Sequence, residues 1–419
     1  MKNNIKILLV SMKYHNPPFN GTSLRDYNIF KNLSQEYRIE LLTFGDHIYT
    51  SGQIDVKKEI GECFDSVEII PMNTIRRIKL NTKLSRIYNL MKPYQMTMGD
   101  GSFSDVMANE IQKKANSARY DIIYFSCLSS YMHHAGTECM IPSVVDVQDS
   151  PAVLMKSYYQ MEKNIIKRFR ALLNYLWARN YEKVHLSKIE NMILVTENDA
   201  AAVRKRCPKS DIFVVSQGVD TDYYMTKNKK QVDGRLVFTG VMDYTPNHQA
   251  MIYFIKEVWP ILRRQNPQVT LSVVGRNPSA DLKALAAKAD GIEITGYVED
   301  VRPYVDEAVV YVCPLLSGAG IKNKILEAWA MSKPIVATSI SCEGLDAKDG
   351  DNILVADNAR MFAQKVTMIL SDGNTRAKLV KRGRKHVEDS FSWRSKAKMI
   401  ENIMCDIIRK KEKYSKYIN

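Results

Sequence analysis

The residues best suited to chemistry lie in one short stretch, Ser317 to Glu327, reading SGAGIKNKILE. Small residues at its start form a loop in which Gly318 and Gly320 let an anion approach the backbone closely. The apolar spacing of Ile325, Leu326, Ala328 and Trp329 predicts a helix from about Lys322 to Met331. The unpaired N–H groups at a helix start point outward, and the helix dipole adds partial positive charge there. Lys322 and Lys324, on the first turn, add full charges. Glu327 lies about one turn further in, where a carboxylate suits hydroxyl groups such as a ribose diol. This pattern predicts a grip on a phosphate or diphosphate. It fits equally a tight turn followed by solvated lysines, and local pattern leaves both readings open.

The loop needs a strand before it and a strand after its helix. Val309 to Cys313 is a short apolar run closed by Pro314, and Ile335 to Ala337 follows Lys333-Pro334, which stops the helix. The same alternation runs through the chain. In the first half, strands are predicted at Ile5–Val10, Ile39–Phe44, Val67–Ile70, Asp121–Phe125, Ser143–Val147, Met192–Val195 and Ile212–Val215. A helix over Ser23–Glu36 with Leu24, Tyr27, Phe30 and Leu33 inward follows the first of them. A long helical stretch covers Leu154 to about Ile189, and its apolar stripe, from Ile165 to Trp177, is expected mostly to pack on the sheet. In the second half, strands are predicted at Leu236–Thr239, Val269–Val274, Ile292–Thr295, Val309–Cys313, Ile335–Ala337 and Ile353–Val355, with a helix over Asn247–Asn266. The chain ends in helices broken near Ser390. Strands alternating with helices predict an α/β protein with two doubly wound, Rossmann-like domains.

Further polar residues stand where strands end. Gly240 closes one strand, and Arg276 follows Gly275 at the end of the next, placed for a base or a diphosphate. Asp146, Gln148 and Asp149 lie at the end of Ser143–Val147, where polar groups line a cleft or cap the following helix. Asp220-Thr221-Asp222 imitates a metal-binding pair, but a linker position makes it a turn.

Together the segments resemble a known family. GIKNKILEAWAMSKPIVAT resembles the nucleotide-sugar signature of the retaining GT-B glycosyltransferases of family four, and more narrowly a bacterial exopolysaccharide branch. Gly240 with Met242, Asp243, Tyr244, Pro246 and Asn247, then Val274-Gly275-Arg276-Asn277, Gly296 to Tyr304 and Glu343-Gly344-Leu345 fit the same branch in the expected order. The resemblance implies the GT-B fold. An N-terminal acceptor-binding domain over 1–215 and a C-terminal nucleotide-sugar domain over 216–392 would face a cleft, with 393–419 crossing back onto the first. It implies transfer of a sugar from a nucleoside diphosphate-sugar, with retained configuration, to a glycan or lipid-linked acceptor. Donor contacts fall on Gly21, Gly240, Asn247, Arg276, Val298, Gly318, Gly320, Ile321, Asn323, Lys324 and Glu327, and acceptor-side contacts on Asn20, Thr22, Arg25 and Gln148. Asp149, Lys324 and Glu327 are the implied catalytic residues, with Gln148 and Asp146 as alternates to Asp149. No metal and no cofactor is implied beyond the donor substrate. The sequence departs from the family twice. Ala319 stands eight residues before Glu327, where a first glutamate is usual, and the usual arginine and lysine after the first strand of the second domain are absent.

Composition narrows the setting. The 419 residues carry a formal charge of +14 and a pI near 9.2. A basic chain meets nucleic acid, anionic membranes or anionic substrates. No zinc-finger, RNP-type or helix-turn-helix signature occurs, so nucleic acid is not expected as a partner. Seven scattered cysteines without a CxxC pair argue for reduced thiols, against a disulfide framework or zinc site. Ile5 to Val10 is too short for a secretory h-region, and no apolar stretch reaches membrane-span length, so the expected location is the cytoplasm. Two basic segments qualify this. From Arg76 to Lys92 all charges are positive, and Lys156 to Lys188 surrounds an apolar stripe with lysine and arginine. The first reads as a solvated face, the second as a helix packed on its own sheet, or either as a surface for the anionic inner face of the cytoplasmic membrane.

Overall fold

The computed structural model describes residues 5–12, 14, 21–34, 36–45, 63–75, 103–117, 119–134, 141–162, 164–227, 231–318 and 320–418. The basic segment 76–92 lies outside them, as do Asn20 and Ala319. The chain divides into two compact units. Unit 1 is Met1–Ser216 with Lys396–Asn419, and unit 2 is Gln217–Ser395.

In unit 1 the elements run β1 (Lys6–Ser11), α1 (Gly21–Leu33), β2 (Arg38–Gly45), β3 (Ser66–Pro71), α2 (Asp105–Ala115), β4 (Ile122–Phe125), α3 (Leu128–Tyr131), β5 (Ser143–Gln148), α4 (Pro151–Met161), α5 (Ile165–His185), β6 (Asn191–Leu194), α6 (Glu197–Arg204) and β7 (Asp211–Val214). The sheet is parallel, in the order β3-β2-β1-β4-β5-β6-β7. Strands β1 and β4 are near-continuous apolar runs, buried along almost their whole length, as suits the central strands of a parallel sheet.

Unit 2 runs β8 (Arg235–Thr239), α7 (Thr245–Tyr253), α8 (Trp259–Gln265), β9 (Thr270–Val274), α9 (Ala280–Ala287), β10 (Ile292–Gly296), α10 (Arg302–Glu307), β11 (Val310–Cys313), α11 (Asn323–Ala330), β12 (Ile335–Ala337), β13 (Leu354–Val355), α12 (Ala359–Ser371) and α13 (Gly373–Phe391). Its sheet is also parallel, in the order β10-β9-β8-β11-β12-β13. In each sheet the strand order reverses once, between β1 and β4 and between β8 and β11, and ligands bind such sheets outside the carboxyl ends at that reversal. The last helix, α14 (Trp393–Ile418), begins in unit 2 and continues in unit 1. There Ile400, Met404 and Ile407 are buried, and the Tyr37 hydroxyl donates to Glu401 Oε1 at 2.9 Å.

Several elements differ from expectation for local reasons. The stretch from Leu154 to Ile189 is two helices, because Asn164 caps a new start: its Oδ1 accepts from the Ile166 and Lys167 amides at 3.1 Å. Its stripe does not all pack, since Ile165, Ile166, Phe169 and Leu176 are exposed while Trp177 rests on the unit 1 core. The helix expected over Asn247–Asn266 is interrupted by a wide π turn, Phe254–Val258, just before Pro260, which has no amide hydrogen to donate. On α1, Leu24 faces outward and the charged Arg25 and Asp26 face inward.

Candidate functional site

The site in unit 2 is built where β8, β9 and β11 end. A cavity of about 800 Å³ opens there, walled by the loops after those strands and by the first turns of α7 and α11. It brings together most of the residues marked in the sequence: Gly240, Asn247, Arg276, Val298, Gly318, Ile321, Asn323, Lys324 and Glu327. Gly320 is not a wall residue; its carbonyl is held from behind by Lys322.

Lys324 is the centre of this wall. Its ammonium donates to Asn247 Oδ1 at 2.7 Å and lies 4.1 Å from the centre of the Phe238 ring. Asn247 is fixed in turn, donating through Nδ2 to the Val241 carbonyl at 2.9 Å. Burial pushes the Lys324 pKa down to about 8. Among the described residues no carboxylate lies within ion-pair distance of this amine, so its direct contacts are a neutral amide and a ring, and the carboxylate of Glu327 acts on its charge only from further off.

Backbone approach is close here by necessity. A Cβ on Gly240 would lie 2.7 Å from Asn247 Nδ2 and 2.8 Å from Lys324 Nζ. A Cβ on Gly275 would lie 1.8 Å from the Gly240 carbonyl oxygen. The two strand-end loops are tied by bonds from the Gly240 amide to the Val274 carbonyl at 3.0 Å and from the Met242 amide to the Arg276 carbonyl at 2.9 Å. Arg276 itself is exposed at the rim.

Lys322 differs from its expected role. It is the residue before the helix, and its ammonium reaches back to the carbonyls of Gly318 at 3.1 Å and Gly320 at 2.5 Å. It therefore pins the glycine loop, and burial lowers its pKa. Glu327, half-buried, is one turn further along α11. Burial raises its pKa, offset by a hydrogen bond from Tyr224 and by the charge of Lys324. Tyr224 carried no signal in the sequence, because the linker around it matches no motif. Tyr244 and Tyr297 also line the cavity and are exposed; both lie inside the motif segments, whose pattern assigns neither of them a contact.

The unit 1 residues are arranged differently. Gly21 and Thr22 open α1. Arg25, expected on the acceptor side, is fully buried: its Nε donates to Asp146 Oδ2 at 2.6 Å and its other nitrogens to the Val215 and Ser216 carbonyls at 3.0 Å. It is a clamp inside the unit, because a buried guanidinium holds its counter-charge rather than a soluble ligand. Asp146 also accepts from the Tyr124 hydroxyl at 2.7 Å, which removes it from the alternates for Asp149. Asp26 lies in the same buried group, and burial followed by the charge of Asp146 pushes its pKa up to about 8. Gln148 adopts a positive φ of 67° at an irregularity that ends β5, a conformation a non-glycine residue holds only under constraint. Asp149 is exposed just beyond it, with its pKa raised by desolvation and then by Asp199. The cap of α4 is Ser150, whose hydroxyl accepts from the Val153 amide at 3.2 Å, so the aspartates are not caps.

Asp220 Oδ1 accepts from the Asp222 and Tyr223 amides at 3.0 and 2.8 Å, the geometry of a turn. Among the described residues no three His, Cys, Asp or Glu side chains converge as a metal-ligand set.

Two parallel Rossmann-like units, with a glycine loop and a cationic helix start at the strand reversal of the second, define the GT-B architecture. Comparison with known proteins agrees. Residues 233–372 match the family model described as glycosyl transferases group 1. The chain is similar in fold to sucrose-phosphate synthase from Thermosynechococcus elongatus, with a TM-score of 0.64, 15% identity, and coverage of 97% of this chain and 99% of that one. It is also similar to Anabaena HepE in complex with UDP and glucose, with a TM-score of 0.58, 14% identity, and coverage of 96% and 99%. In sequence it is 22% identical over 258 residues to an uncharacterized 44.6 kDa protein in the cps region of Klebsiella pneumoniae, spanning 59% of this chain and 65% of the relative. It is 31% identical over 103 residues to the lipopolysaccharide core biosynthesis glycosyltransferase LpsE of Rhizobium meliloti (strain 1021), spanning 24% of this chain and 30% of LpsE.

Proposed function

We propose that the protein transfers a hexose-type sugar from a nucleoside diphosphate-sugar to a growing polysaccharide or glycolipid, retaining anomeric configuration, in the making of a bacterial cell-surface glycan. One observation carries this reading: Lys324 is held in the wall of the cavity by Asn247, beside Gly240, with Glu327 one turn deeper on the same helix. That order suits a diphosphate followed by a ribose. The ammonium and the first amides of α11 would carry the charge that develops on the departing diphosphate, in preorganised positions partly screened from water. With that charge supplied by the chain, no metal and no cofactor is needed. Glu327 would accept from ribose hydroxyls. Asp149, just past the strained end of β5, is the residue we assign to the acceptor side.

The group 1 match over 233–372 supports the transferase class, and LpsE supports a surface glycan as product. HepE, with its bound UDP, makes a uridine donor the first to test. A second reading has its own observation: Ala319 replaces the usual first glutamate, which fits a subunit that binds donor or glycan without turnover.

The deciding experiment incubates purified protein with a panel of nucleotide sugars, with and without a chelator and a glycan acceptor. Release of nucleoside diphosphate, unaffected by chelator, supports the proposal. An isomerised donor would instead mark a sugar-nucleotide epimerase, and binding without turnover the inert subunit.

A further inference from the structure

The hairpin of α4 and α5 leaves a surface that sugar transfer does not explain. Residues Asn164 to Arg170 are exposed without a break. Among them Ile165 is 82% exposed, Ile166 79% and Phe169 63%. At about 100° per residue, Ile165, Phe169 and Leu176 fall on one stripe of α5 with Ile166 at its edge, while Arg168 and Arg170 stand on its two margins. Leu154 and Tyr158, one turn apart on α4, expose further apolar surface. The hairpin is strongly basic. From Pro151 to His185, the span of α4 and α5, the basic residues are Lys156, Lys163, Lys167, Arg168, Arg170, Arg179 and Lys183 and the acids are Glu162 and the buried Glu182, a net charge of +5 from seven minus two.

We propose that this hairpin docks the protein flat on an anionic lipid surface, with Ile165, Ile166 and Phe169 entering the headgroup boundary and the flanking lysines and arginines meeting lipid phosphates. An apolar helical stripe edged by long cationic side chains is the form that lies in a membrane interface. No described helix is long and apolar enough to cross a membrane, so the contact is with one face of the bilayer. A second copy of this chain is the poorer occupant, because pairing the faces would bring two like charges of this size together. The surface belongs to unit 1 and shares no residue with the cavity of unit 2, so this docking is independent of the reading of that cavity.

The test is co-sedimentation of the full chain with phosphatidylcholine vesicles, either pure or roughly one-third phosphatidylglycerol. Wild type is expected to partition at least about tenfold better onto the anionic vesicles at low salt, with the advantage lost at high salt. Replacing Ile165, Ile166 and Phe169 together by Ser should lower that partition about tenfold or more, and Lys167, Arg168 and Arg170 together by Gln should do the same. Thermal melts should be unchanged, since all six side chains are exposed. Independently, Phe169→Trp should show fluorescence quenched by brominated lipid. Equal binding of wild type and the serine variant would overturn the proposal. So would failure of wild type to bind either vesicle, or a dimer in solution that the serine variant dissolves.

Discussion

Burial gives Lys324 its leverage. An amine whose pKa is pushed down to about 8 is still mostly charged at neutral pH and loses its proton as pH rises through about 8, where a bound diphosphate would hold that proton on. Affinity for nucleoside diphosphate should therefore weaken as pH rises through about 8, by up to about tenfold per pH unit, which calorimetry between pH 6.5 and 9.5 would show. Lys324→Ala should cut donor turnover about tenfold or more; a loss within about threefold, below roughly 1 kcal/mol, would rule out its charge role. Asp26 makes the opposite kind of prediction. Its folded pKa, about 8, lies above the usual 3.8, so between these values the folded state holds a proton that the unfolded chain does not. Stability should fall as pH rises across that window and level off beyond it. Asp26→Asn should flatten the slope, leaving the variant the more stable form at pH 8 by a few kcal/mol in order of magnitude, as denaturant titration at pH 5 and pH 8 would measure.

At the scale of elements, the cavity depends on two strand ends approaching backbone to backbone. Gly275→Ala would drive a methyl group into the Gly240 carbonyl, so the loops after β8 and β9 must part. The expected outcome is a loss of several kcal/mol in stability together with nucleotide binding, read by thermal melts with and without nucleoside diphosphate. This half of the molecule was legible because its signals are local. A strand, a glycine loop, a helix and a strand follow one another within about thirty residues, and their spacing alone states their geometry. What was hidden is long-range. Arg25 reads as an acceptor-side contact until Asp146, 121 residues away, is seen beside it. Tyr224 has no motif, and only folding brings it to Glu327. The face of α5 was misjudged for another reason: amphipathic spacing shows that a stripe exists, not whether protein covers it.

At the scale of the whole molecule, each unit has its own core, and the chain passes between units twice, after Ser216 and after Ser395. Unit 1 therefore relies on residues far along the chain. Ending the chain at Ser395 would remove Ile400, Met404 and Ile407 from that unit and leave the Tyr37 hydroxyl without Glu401. The truncated protein should show unit 1 cleaved readily by protease while unit 2 resists, and hydrogen exchange should rise in β1 and β2 before β8 and β11.

The path of α14 also sets an order of assembly. Gln217–Ser395 is contiguous, so that half has all its own residues as soon as Ser395 is synthesised. Unit 1 begins before unit 2 and is completed after it, its β strands waiting for the part of α14 that is translated after Ser395. During that interval apolar surface on the nascent chain is uncovered, and it is there that a chaperone would find its hold.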